Sequence, residues 1–196
     1  MNTHAEVFEE RVWLQRAVLV LVSPRAVFAL LRDDSDAAAR ARDEAVLALV
    51  LLAGIAAVLW TPTYGRLLED RFVAWDGLLI AVVAFVGGGI YGAAAYWFGG
   101  LLLHGALRLI ASRTSFRQAR HVLAFAAAPL ALSLLLVWPV RLALYGEDLF
   151  RAGGSDRGDG NTAFVALELA FVIWALALVA LGIRAVYRSS SSAVIS

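Results

Sequence analysis

The sequence predicts an all-α, polytopic transmembrane bundle: four membrane helices with an N-terminal amphipathic interfacial helix. Three observations predict it. Four long windows are almost free of charge, the arginines fall mostly on one side of those windows, and the aromatic residues cluster on the other. Composition sets the frame. Hydrophobic residues make up 61% of the 196 and charged residues 17%, against about 45–50% and about 25% in a soluble domain. A water-soluble core of this length cannot hide that surplus, so hydrocarbon is its natural solvent.

A bilayer core needs roughly 20 mostly apolar residues in a helix. The expected spans are 45–60, 77–103, 122–140 and 163–183, within a membrane domain over 35–188. The first is short. Its Ser35/Asp36 start and Ala-rich continuation predict a helix that begins in the headgroup region. Span three carries Pro129 and Pro139, either of which can kink it.

Orientation follows from arginine, which supplies every basic residue besides histidine. Twelve of the seventeen fall in the N-terminal segment, the loop between spans two and three, and the C-terminal end. The positive-inside rule then places both termini and that loop in the cytoplasm. Trp60, Tyr64, Trp75, Trp138 and Tyr145 lie near the predicted outer interface, where amphipathic rings prefer to sit. The expected location is the plasma membrane. Met1 to Arg16 are acidic and polar, unlike a cleavable signal peptide.

Residues 1–34 read as a cytoplasmic amphipathic segment. Ser23-Pro24 looks like a fresh helix start, with Ser as N-cap and Pro at the first helical position. Val27, Phe28, Leu30 and Leu31 form its apolar stripe. The segment lies in the membrane interface, packs on the ends of the bundle, or does both. Residues 146–162 read as a flexible Gly/Asp linker, since Leu167 stands where a calcium loop needs a bidentate Glu. Residues 189–196 are a short polar tail.

Candidate chemistry is sparse. Span two carries Gly88, Gly92, Ala95 and Gly99 at spacings of four, which form an expected helix-packing face. Its partner lies in the same chain or in a second copy, the latter giving a homo-oligomer. Glu168 is an ionisable group inside a span, functional by default. Arg141, at the outer end of span three, is its expected ion-pair partner at matching depth. The alternative role for this couple is proton, ion or small-solute transport. The polybasic loop between spans two and three offers Arg108, Arg113, Arg117 and Arg120 to anionic lipid headgroups, at about 1 kcal/mol each. His104 and His121 flank it as interfacial residues.

With no Cys and no clustered carboxylates, neither a disulfide nor a metal site is expected. No catalytic constellation and no cofactor motif is present. A nucleic-acid surface would need more basic field and more stacking rings than Phe116 alone. Membrane lipids and an unidentified protein are the expected partners.

Four fragments, in order, resemble the Yip1 family of membrane proteins, bacterial branch. They are Ser23-Pro24-Arg25-Ala26-Val27-Phe28-Ala29-Leu30-Leu31, similar to the family's Pro-x-x-x-Phe segment; the Gly-rich second span; Ser115-Phe116-Arg117-Gln118-Ala119 leading through Ala126-Ala127-Ala128-Pro129; and Ile173-Trp174-Ala175-Leu176 with Leu181-Gly182-Ile183-Arg184. The resemblance implies a multi-helix membrane domain, and for eukaryotic members trafficking with Rab-type GTPases. Two departures stand out. The usual fifth span would begin near Ala193, and the eukaryotic Asp-Leu-Tyr-Gly-Pro motif is missing. The expected function is a non-enzymatic membrane-organising or partner-binding protein.

Overall fold

The computed structural model describes residues 18–60, 77–110, 115–146 and 159–187. Among them every regular element is helical. Residues 18–22 form a helical turn, followed by α1 (Pro24–Leu30), α2 (Asp36–Trp60), α3 (Gly77–Ala94), a π-turn (Ala95–Gly99), α4 (Gly100–Ile110), α5 (Phe116–Ala126), α6 (Ala128–Tyr145) and α7 (Asp159–Tyr187).

Four stretches are long and apolar enough to cross a membrane: Asp36–Trp60, Val82–Leu109, Phe116–Tyr145 and Asn161–Tyr187. Each runs beyond its apolar window, because a helix continues into the headgroup layer wherever its residues favour it. The first extends back through Arg42 and Arg40 to Asp36. There the Ser35 hydroxyl accepts from Ala38 N–H at 3.3 Å as a cap. Ser35 N–H in turn donates to Asp33 Oδ1 at 3.0 Å, which holds the Asp33 carboxyl below its ordinary range.

Span three is a broken helix. At Ala127 (φ −78°, ψ −2°) α5 ends and α6 begins, with Pro129 in the first turn of α6, where no intrahelical donor is lost. Pro139 stays inside α6.

The core lies where α1, α2, α5, α6 and α7 meet. Val20, Phe28, Leu31, Val122, Phe125 and Leu178 are each at most 1% exposed. The α1 segment packs on the end of the bundle against α7, burying Val27 and Phe28 while Leu30 stays 59% exposed. Pro24 does begin this helix, but the Ser23 hydroxyl makes no capping bond. Instead Ser23 N–H continues the preceding turn, donating to the Leu19 carbonyl at 2.7 Å. The rest of the amphipathic segment, including 7–17, and the linker over 147–158 lie outside the described residues, as do Tyr64 and Trp75.

Candidate functional site at the arginine-rich end

One end of the bundle gathers the start of α2, the end of α4, the start of α5, the end of α7 and all of α1. The chain between α1 and α2 is held there by other helices. Five consecutive carbonyls accept side-chain donors. Arg42 of α2 donates Nη1 to Leu30 (2.7 Å) and Nη2 to Asp33 (2.8 Å). Gln118 of α5 donates Nε2 to Leu31 (3.1 Å) and Arg32 (3.3 Å). Arg117 Nη1 reaches the Asp34 carbonyl at 3.4 Å. Helix ends leave carbonyls without intrahelical partners, and here charged and amide groups from α2 and α5 satisfy them. Arg32 completes the tie, its Nε donating to the Ala185 carbonyl of α7 at 2.8 Å.

Beneath this layer Gly182 of α7 faces Phe28 and Val122. A Cβ there would lie 2.8 Å from Val122 Cγ1 and 3.0 Å from Phe28 Cε1. Thus Phe28, Gln118 and Gly182, which belong to three separated sequence fragments, meet in one assembly.

The family comparison fits this convergence. A model of the Yip1 domain matches residues 18–196. The chain belongs to the Yip1 family. Yip1 proteins are generally non-enzymatic membrane proteins, and with four apolar helices this one is a multi-pass membrane protein. No curated protein and no solved structure matches it significantly.

The basic loop of this Yip1 chain is used unevenly. Arg108 is exposed at the end of α4, and Arg113 lies outside the described residues. Arg117 turns to the acids around the start of α2: Nη1 is 2.7 Å from Oδ1 of Asp36, its first residue, and Nε 3.8 Å from Oδ1 of Asp34, just before it. Arg120 is enclosed by rings, its Cζ 3.9 Å from the Trp97 centroid, 4.6 Å from Phe116 and 5.1 Å from Tyr96. The π-turn carries Tyr96 and Trp97, and such turns recur at functional sites. His104 packs edge-on to Phe116, whereas His121 is buried in the core. Among the described residues no group of acids and histidines could hold a metal.

The glycines of span two meet their neighbour within the chain. Gly88 and Gly92 pack on α2. A Cβ on Gly88 would lie 2.6 Å from Ile55 Cα, and one on Gly92 would overlap the Val50 carbonyl. Gly99 instead faces Leu123 of α5, and Ala95 is exposed. Sequence reasoning missed Gly54, the α2 residue at the centre of this contact. It has no second small residue four positions away to flag it.

Arg141 and Glu168 are both buried, at 5% and 3% exposure, but no ion pair joins them among the described residues. Glu168 Oε2 lies 3.4 Å from Ser133 Oγ, which donates to the Leu130 carbonyl at 2.9 Å. Arg141 donates Nη2 to Asn161 Oδ1 at 3.2 Å and lies over Trp138 and Phe164. The reason is depth. Eight residues separate Ser133 from Arg141, and seven separate Asn161 from Glu168, about 10–12 Å along either helix at 1.5 Å per residue. The two charges therefore sit about two turns apart. Trp138 is 3% exposed, inside the bundle rather than in an outer aromatic belt.

Proposed function

We propose that this Yip1 protein organises membrane or protein partners without catalysis, through its arginine-rich end, which faces the cytoplasm at the plasma membrane. One observation carries the reading. Between the buried Glu168–Ser133 contact and the polar layer at the arginine-rich end lie Phe28, Val122, Phe125 and Leu178, all at most 1% exposed. Side chains packed to this degree leave little room for water. A solute or proton path would need a wet, polar route through them. The polar layer, by contrast, fixes α1 rigidly and leaves Val22, Arg25 and Leu30 exposed on its outer side, a surface suited to a contact.

The rival reading, a transporter or channel component using Glu168 and Arg141, draws on one observation: Glu168 Oε1 is buried without a hydrogen-bond partner, and intramembrane carboxylates often mark pathways. Reconstitution into sealed vesicles separates the two. The proposal expects proton and ion flux equal to that of protein-free vesicles, for the native chain and for Glu168→Gln alike. Flux that depends on Glu168 would sink it.

A further inference from the structure

A cavity of about 300 Å³ opens between α2, the π-turn and the α5–α6 break. Small residues carve it, among them Ala53, Gly92, Ala95 and Ala127, and Leu123 and Leu130 complete an almost wholly apolar wall. Tyr91 and Tyr96 are its polar-tipped residues, and the Tyr96 ring also faces the Arg120 guanidinium. Arg120 has an unusual setting. Three aromatic faces hold it, and Gly100 seats its stem, a Cβ at Gly100 falling 3.3 Å from Arg120 Cβ. Its Nε is buried without a hydrogen-bond partner. Aromatic faces attract a cation through their quadrupoles but carry no net charge. Both ion pairs among the described residues belong to Arg117, and no carboxylate of the described residues lies within salt-bridge distance of Arg120; Asp43 acts on the same Tyr96 only through its field.

We propose that one anionic phospholipid binds here, with an acyl chain in the cavity and its phosphate at Arg120. The wall is apolar, and the bundle lies in hydrocarbon, so a chain enters without loss of hydration. The volume equals about ten waters at ~30 Å³ each, which suits a stretch of acyl chain and is too small for a helix of a second copy. The glycines that could admit such a helix, Gly88 and Gly92, already lie on α2. Arg120 sits one turn into α5 at the arginine-rich end, at headgroup depth, and an unpaired guanidinium there matches a phosphate bidentately. This site needs only that the helices span a bilayer. It does not depend on partner binding or on which face is cytoplasmic.

The test is lipid retention by native mass spectrometry, on full-length protein reconstituted in discs of equal phosphatidylglycerol and phosphatidylcholine, with thermal stability measured in parallel. The expected result is one phosphatidylglycerol retained per chain. Arg120→Gln should weaken retention about fivefold, the effect of roughly one arginine near the membrane surface, and Arg120→Lys should weaken it less. Ala95→Leu should fill the exposed mouth of the cavity and weaken retention without touching the arginine. Arg184→Gln, exposed in the last turn of α7 and outside the cavity wall, should leave retention unchanged. Equal retention of both lipids, retention indifferent to Ala95→Leu, or displacement by free inorganic phosphate would each overturn the proposal. Glu168-dependent flux would remove the functional reading above and leave this site standing.

Discussion

Gly54 and Gly92 bring the backbones of α2 and α3 into direct contact: a Cβ on Gly54 would lie 2.8 Å from both Cα and N of Gly92. Nothing flexible stands there to yield. In lipid, where burying apolar surface gives helices no mutual drive, such close approach is a main source of association.

Gly54→Leu should therefore cost about 3 kcal/mol or more, the upper range for overpacking a closed site, and should lower folded yield in detergent. Gly105→Ala is the control. A Cβ there meets nothing within 4 Å, and replacing a helical glycine with alanine gains up to about 1 kcal/mol. Thermal unfolding of the two variants against the parent checks the contrast, and equal losses would contradict it.

Arg42 is 6% exposed and holds the Leu30 and Asp33 carbonyls together. Removing it leaves both carbonyls without these donors in a part-buried place. Arg42→Ala should cost about 3 kcal/mol, given about 1.5–3 for each charged hydrogen bond. It should also make the chain near residues 31–35 the first point of protease cleavage. Cleavage elsewhere, with stability unchanged, would show that the α1–α2 connection does not depend on this arginine.

The Arg117–Asp36 pair is short but open to solvent, with Asp36 75% exposed in its side chain. Exposed pairs contribute little. A double-mutant cycle with Arg117→Gln and Asp36→Asn should give a coupling below about 1 kcal/mol, falling further at high salt. A coupling of several kcal/mol would mean that the pair is shielded from water.

Glu168→Gln keeps a group that can bond Ser133 and does not disturb Arg141, which is held by Asn161. Stability should be unchanged within about 1 kcal/mol. Had the two charges formed a buried pair, breaking it would cost about 3–5 kcal/mol. Thermal unfolding of the variant distinguishes these outcomes.

The spans were legible because a run of apolar residues is a local property, and so was the close-packing potential of Gly88 and Gly92. What sequence could not supply is relative depth and partner. The edges of the apolar windows put Arg141 and Glu168 level, yet α7 begins at Asp159 and carries Glu168 two turns inward. Arg117 looked like a headgroup contact because its own loop has no acid. Its partner, Asp36, comes from 81 residues earlier. The cage around Arg120 was hidden for another reason. It requires the π-turn that turns Tyr96 and Trp97 onto α5, and no local pattern announces that turn.

We propose that the four-span bundle has a dry interior and carries its arginine-rich end on the cytoplasmic face. Because the chain has no cysteine, a single introduced thiol reports its own surroundings. The decisive measurement is thiol labelling in oriented membranes with a small water-soluble reagent. Arg25→Cys and Arg108→Cys should label from the cytoplasmic side, Gly146→Cys from the opposite side, and Ser133→Cys from neither. Labelling of Arg25→Cys and Arg108→Cys from opposite sides, or ready labelling of Ser133→Cys, would contradict the account.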